Sequence, residues 1–196
     1  MVLVIDTSSA RSAVALIRDG AVVAEESFES GRDSELGRRV RALGQGQEVA
    51  TVLVATGPGS FTGLRLGVSY GIGFALGREL PLLGLSGLEI QARRGRGPLT
   101  GLAEAGRGRV YWLAPDLDAP RHGEPAELPR QWPAAGWLRP ETVAAVRASG
   151  VDLLPESELD TFGAAALRAL PGARRLAYGS VRLEYMHSPA ALRRDP

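Results

Sequence analysis

Two short segments hold most of the chemistry this chain can offer. Asp6-Thr7-Ser8 follows one apolar run, and Gly57-Pro58-Gly59-Ser60-Phe61-Thr62-Gly63 follows another. A carboxylate at a strand end can hold a metal-bound water, and two neighbouring hydroxyls can contact phosphate. The same carboxylate can equally accept N–H groups of its own turn. In the second segment, backbone N–H groups at a helix start attract anions, and glycine lets a ligand come close. The simpler alternative is a tight turn with Thr62 as N-cap of the following helix. Asp6, Thr7, Ser8, Gly57, Gly59, Ser60 and Thr62 are therefore the candidate phosphate- or nucleotide-facing positions.

Other chemistries have little to work with. Cysteine is absent, which removes disulfides, thiolate metal sites and a cysteine nucleophile. The two histidines, His122 and His187, stand far apart and outside any H-x-x-x-H pattern, so no metal ligand set is expected. No G-x-S-x-G elbow accompanies them. All 23 basic residues are arginine, so the G-K-[ST] step of a P-loop is missing. A formal net charge of +1 is low for a strongly basic nucleic-acid binder. No catalytic residue is assigned. There is neither a secretory leader pattern nor an apolar run long enough to span a membrane, and the expected compartment is the cytoplasm.

The second feature of interest is a helix with too many apolar faces. From Gly63 to Arg78 only Arg65, Ser69 and Arg78 are polar. Leu64, Val68, Ile72 and Ala75 form one face, expected to meet the chain's own core. Gly63, Gly67 and Gly71 form a second stripe, flanked by Tyr70 and Phe74. A helix apolar all round must be covered all round, and small residues every four positions let another helix approach closely. The cover is either the rest of this chain or a partner protein. A partner is expected, with Gly63, Leu66, Gly67, Tyr70, Gly71 and Phe74 at the interface, joined by Leu36 and Val40 from the preceding helix.

The elements that must position these residues follow from pattern. Residues 2–5, 12–18 and 21–28 read as strands, the last two joined by the hairpin signal Asp19-Gly20. Leu36, Val40 and Leu43 recur at helical spacing within 34–43, where Ser34 or Asp33 is a candidate N-cap. A strand over 49–56 precedes the glycine loop and long helix; a strand over 81–85 and a helix over 86–94 follow. The order βββαβαβα is that of a ribonuclease-H-like lobe and not of a doubly wound sheet, which would begin β-α-β. Gly95-Arg96-Gly97-Pro98 marks a boundary, giving an N-terminal lobe over 1–96 and a smaller lobe over 97–196. The second lobe should hold a hairpin from strands over 99–104 and 109–114, loops and short strands over 115–140, and helices over 141–148 and 159–170. One short strand at most is expected after Ala173. Arg93, Arg94, Arg96, Arg107 and Arg109 read as a solvated surface, and the three tryptophans as packing anchors.

The two turns together resemble the strand-ending turns that face nucleotide in actin-like ATPases. More specifically, Val4-Ile5-Asp6-Thr7-Ser8, the string Gly57-Pro58-Gly59-Ser60-Phe61-Thr62-Gly63-Leu64-Arg65-Leu66-Gly67, then Gly73-Phe74-Ala75-Leu76-Gly77 and Leu83-Gly84-Leu85-Ser86 resemble the TsaB (YeaZ) family. The likeness is densest over residues 1–92, weaker at Val110-Tyr111-Trp112, and loose over 183–194. It departs at Asp33-Ser34-Glu35, where the family has a His-Ser-Glu-like string, and at Glu104-Ala105-Gly106, where it has a D-A-R-like turn. The resemblance implies an α/β, actin/Hsp70-like fold of two ribonuclease-H-like lobes, the second reduced. It implies a non-catalytic subunit in the synthesis of N6-threonylcarbamoyladenosine at position 37 of tRNA. Such a subunit would pair with a TsaD-type paralogue, join a TsaE-type ATPase, reach tRNA through the complex, and homodimerise when alone. ATP and a metal would be held mainly by those partners. The rival reading is a stand-alone actin-like ATPase or sugar-kinase-like enzyme, which the Asp6 turn and the glycine loop favour but for which no second phosphate turn is readable downstream.

Overall fold

A computed structural model of the chain describes residues 1–31, 33–179 and 181. The opening meander forms as the pattern predicts. β1 (Val2–Asp6), β2 (Arg11–Arg18) and β3 (Ala21–Glu29) pair antiparallel, with Asp19 and Gly20 at positive φ in the hairpin turn. After α1 (Asp33–Leu43), β4 (Thr51–Gly57) crosses to lie parallel to β1, and β5 (Leu82–Ser86) lies parallel to β4 after α2 (Phe61–Leu76). The side chains of the candidate N-caps Asp33 and Ser34, which stand in the first turn of α1, and the tail over 183–194 lie outside what is described.

Strand alternation sorts the core into two layers. Leu3, Ile5, Val14, Leu16, Val52 and Val54 point to one face, where Leu36 and Val40 of α1 and Val68 and Ala75 of α2 cover them. Val4, Ala13, Ala15, Ile17 and Leu53 point to the other. There they meet Ile90 of α3 (Gly87–Ala92), Trp137, and Phe162, Ala165, Ala166 and Ala169 of α5 (Phe162–Ala169). The central strands are thus buried on both sides, which accounts for their nearly unbroken apolar runs.

The second sheet repeats this plan in miniature. β6 (Thr100–Gly106), β7 (Arg109–Leu113) and β8 (Arg121–Gly123) form a meander, and β9 (Ala134–Ala135) returns parallel to β6. The order β8-β7-β6-β9 matches β3-β2-β1-β4 of the first sheet. Ala134 also bridges Leu153 in parallel, at the position β5 holds in the first sheet. α4 (Pro140–Ala148) buries Val146 in the second lobe's core. Both sheets therefore carry the ribonuclease-H-like order, and the second is reduced to short strands.

The 96/97 division needs correction. β10 (Arg174–Leu176) pairs antiparallel with β5 and forms an edge of the first sheet, whose full order is β10-β5-β4-β1-β2-β3. α5 packs on that sheet as well. The chain returns to its first lobe after building the second, because the apolar face of Phe162, Ala165, Ala166 and Ala169 matches the small residues Ala13 and Ala15 of β2.

Candidate functional site

Asp6, the last residue of β1, is only 1% exposed. Its Oδ1 accepts the Ser8 backbone N–H at 2.8 Å, while Oδ2 has no partner among the described residues. Burial pushes its carboxyl up from the ordinary aspartate value, and the Ser8 side chain and N–H pull it part of the way back. Gly87, which opens α3, stands directly against it: a Cβ there would lie 2.9 Å from Ser8 Oγ and 3.3 Å from Asp6 Oδ2. Gly87 and the buried Ser86 beside it are neighbours that sequence pattern alone did not single out. Their signal was a strand-to-helix junction with two small residues in succession.

The glycine loop packs on the Thr7–Ser8 turn itself. Ser60 N–H donates to Ser8 O at 2.7 Å, and Thr7 Oγ1 donates to Gly63 O at 2.6 Å. A Cβ at Gly59 would overlap Ser8 O, and one at Gly63 would overlap Thr7 O. These two glycines are accounted for by turn-on-loop packing. Gly57, at φ +115° in a cis Gly57–Pro58 peptide, is the one loop position whose backbone demands glycine by conformation. Ser60, not Thr62, is the N-cap of α2, accepting the Gly63 N–H at 3.3 Å. Thr62 lies exposed one position into the helix.

A cleft of about 220 Å³ opens beside this junction, lined by Thr7, Ser9, Ser12, Ser60, Thr62 and, from the second lobe, Glu104 and Arg139. Glu104 is already engaged: its carboxylate accepts the Arg139 N–H at 2.6 Å and the Thr142 hydroxyl at 3.2 Å, capping α4. The Asp6 carboxylate does not open into the cleft. A nucleotide with its metal is therefore a poor fit here, because the one carboxylate at the strand end is sealed behind the turn that occupies the glycine loop. Among the described residues no three His, Asp or Glu side chains gather in a way that could hold a metal ion.

The expected interface stripe also needs correction. Gly67 and Gly71 are buried against the chain's own sheet: a Cβ at Gly67 would overlap Thr7 Oγ1, and one at Gly71 would overlap Val54 Cγ1. Gly63 faces the Thr7 turn. Leu36 and Val40, 1% and 3% exposed, are core residues of α1. The stripe lets α2 lie close on β1 and β4. What α2 turns outward is a different set: Phe61 (45% exposed), Leu76 (57%), Gly73, and the half-buried Leu66, Tyr70, Ile72 and Phe74. Arg65 lies over the Phe61 ring and Arg78 over the Phe74 ring, 3.8 and 4.0 Å from their centroids. Leu66, Tyr70 and Phe74 thus stay on the accessible side, as the pattern placed them, and Phe61 and Leu76 join them.

The arginine cluster is no surface patch throughout. Arg94, 3% exposed, forks onto Glu156 with bonds of 2.9 and 2.7 Å and lies over the Trp137 ring. Trp137 Nε1 donates to the same carboxylate at 3.0 Å. Trp112 and Trp137 are buried anchors.

Residues 43–119 match the family described as TsaD: tRNA N6-adenosine threonylcarbamoyltransferase. The chain is 34% identical over 144 residues to the tRNA threonylcarbamoyladenosine biosynthesis protein TsaB of Escherichia coli, and 32% identical over 121 residues to that of Bacillus subtilis. The chain is thus similar to proteins of the TsaB (YeaZ) family. The matches cover 64% and 56% of this chain, and span 60% and 52% of those two relatives' lengths. YeaZ from Pseudomonas aeruginosa superposes with a TM-score of 0.69 at 21% identity, covering 94% of this chain and 99% of that one. A second structure, of an uncharacterized protein with similarity to peptidase YEAZ from Pseudomonas aeruginosa, gives 0.69 at 20% identity, with 95% and 99% covered. The fold of this chain is accordingly that of the YeaZ structures, α/β and actin-like. No helix among the described residues is long and apolar enough to cross a membrane.

Proposed function

We propose that this chain is an accessory subunit in the synthesis of N6-threonylcarbamoyladenosine on tRNA, binding and activating a TsaD-type transferase through the outward face of α2. The observation that carries the reading is that face. Phe61, Gly73 and Leu76 are exposed on α2, and Leu66, Tyr70, Ile72 and Phe74, half-buried at the margin of the core, extend that apolar surface around Arg65 and Ser69. Apolar surface left on a helix away from its own sheet calls for a second cover. The likeness to TsaB proteins and the match of residues 43–119 to the TsaD family support the partner's class. In this reading the chain contributes no catalytic residue; ATP and metal are held mainly by the partners, a TsaE-type ATPase joins the assembly, and tRNA is reached through the complex. The isolated chain covers the same face by homodimerising. The setting is the cytoplasm.

The test is light scattering after size exclusion, with this protein and the TsaD-type paralogue from the same source mixed at equal concentration. Gly73→Arg is the informative variant. Gly73 is exposed on α2 with nothing within 4 Å of a Cβ, so the replacement leaves the fold intact while placing a long charge in the face. A 1:1 complex formed by the native chain and lost in Gly73→Arg is the expected result. Failure of the native chain to bind the paralogue, with ATP and tRNA present, would remove the proposal and make ATP turnover by the isolated chain the next measurement.

A further inference from the structure

Between the C-terminal ends of α1 and α2 the first sheet's face opens into a cavity of about 330 Å³. Leu3, Leu16, Val40, Val49 and Phe74 give it an apolar wall, and Gln47 and Glu48 add polar lining. Two arginines line it as well, Arg41 from the last turn of α1 and Arg78 just past α2. Arg39, Arg94 and Arg168 each reach a carboxylate, but among the described residues neither Arg41 nor Arg78 has one within ion-pair distance. Arg78 lies 4.0 Å above the Phe74 ring centroid. A Cβ at Gly37 would meet the Tyr70 ring at 3.4 Å and Arg41 Nη1 at 3.6 Å, so those two side chains share one spot on α1. Burial raises the Tyr70 phenol, and the charges that pull it back are Arg41 and Arg78. Glu48 is the one acidic residue lining the cavity, which leaves its rim at one net positive charge.

A pocket with an apolar wall and two arginines without ion pairs in its lining has a definite chemical complement. The geometry points to a binding site for a small amphipathic monoanion: a carboxylate held between Arg41 and Arg78, with a short aliphatic or aromatic body in the cavity. Guanidinium groups form charge-assisted, planar bonds to carboxylates, and the apolar wall favours a body that leaves water. A dianion would meet Glu48, and a bare inorganic anion would leave the wall wet. All of its residues come from this chain, but Phe74 also belongs to the outward face of α2, so the proposal rests on that face being open here and the titration is run with light scattering to fix the chain's oligomeric state.

The test uses the full chain and 4-phenylbutyrate as probe, by isothermal titration calorimetry. 4-Phenylbutanol is the neutral control, and acetate is the control without a body. The expected result is saturable one-to-one binding of 4-phenylbutyrate with a Kd below about 1 mM. Both controls should bind at least about tenfold more weakly, and the Arg41→Gln/Arg78→Gln double variant should lose at least about tenfold in affinity. Both arginines are exposed, so the variant's circular dichroism and melting curve should match the native chain's. A second variant, Val49→Trp, fills the cavity from its half-buried edge and should abolish binding while leaving Arg41 and Arg78 in place. Absence of saturation up to about 10 mM, or equal affinity in native and double-variant protein, overturns the proposal.

Discussion

Gly67, Gly71 and Gly73 sit on one helix and make opposite demands of an added methyl group. In Gly67→Ala the new Cβ would lie under 3.0 Å from Thr7 Oγ1 and 3.5 Å from Ile5 Cγ2. The gain in helix propensity is about 1 kcal/mol. Against it stand overpacking, about 1–3 kcal/mol, and loss of the Thr7 Oγ1 to Gly63 O bond, about 1 kcal/mol. The net expectation is a loss of roughly 1–3 kcal/mol. Gly71→Ala meets Val54 Cγ1 with no hydrogen bond at stake, so its net loss should be smaller, roughly 0–2 kcal/mol. Gly73→Ala meets nothing within 4 Å and should gain about 1 kcal/mol. Gly67→Ala and Gly73→Ala should therefore differ by about 3 kcal/mol, or roughly 10 °C in Tm for a chain of this size. Urea unfolding of the isolated chain, followed by tryptophan fluorescence, measures the three directly. If Gly67→Ala and Gly71→Ala are both stabilised like Gly73→Ala, the glycine stripe does not face the sheet.

Two further outcomes follow from carboxyl groups whose shifts have opposite signs, the buried Asp6 and the half-exposed Glu156. Asp6 has a raised pKa in the fold, so its contribution is favourable below the unfolded value near 3.8 and is lost as pH rises through the folded value. Asp6→Asn should therefore gain stability over the native chain at pH 7, with the gain vanishing as pH falls below about 4 in paired thermal melts; equal gains at pH 4 and 7 would refute this. For Glu156, desolvation raises the carboxyl, but the bonds and charge of Arg94 outweigh it and the net shift is downward. Its contribution is complete above the unfolded value near 4.5 and is lost as pH falls through the folded value. Glu156→Gln should cost about 1–3 kcal/mol at pH 7, allowing for a half-exposed carboxylate, and the gap should close in acid; a gap that does not change with pH would point to packing alone.

The first lobe was legible because its signals are local. Alternating apolar residues in β2, the Asp19-Gly20 turn and the helical spacing of Leu36, Val40 and Leu43 each fix an element without reference to distant chain. The apolar excess of α2 was legible too, but its orientation was not. Helical spacing groups Gly63, Gly67 and Gly71 on one side without saying which side meets the sheet. The deciding partners, Thr7 and Val54, lie on strands far away in sequence. Small residues served close approach to a β-sheet rather than to another helix. The candidate nucleotide turns were found as a pair. That they fill one another depends on two bonds, Ser60 N–H to Ser8 O and Thr7 Oγ1 to Gly63 O, that no spacing encodes. The return of α5 and β10 to the first sheet was missed for the same reason: strand pairing with β5 is a long-range choice, and Arg174-Arg175-Leu176 has no strand pattern of its own.

That late return sets an order of events during synthesis. β5 leaves the ribosome with one side paired to β4, and the strand that covers its other side is made only after the entire second sheet. Through that interval the nascent chain carries an open parallel-sheet edge, a template on which another chain's strand can add. Any truncation upstream of Arg174 makes the interval permanent. Three residues with little strand propensity thus act as the edge guard of the larger sheet, and premature termination late in the message should yield aggregates instead of a shorter soluble protein.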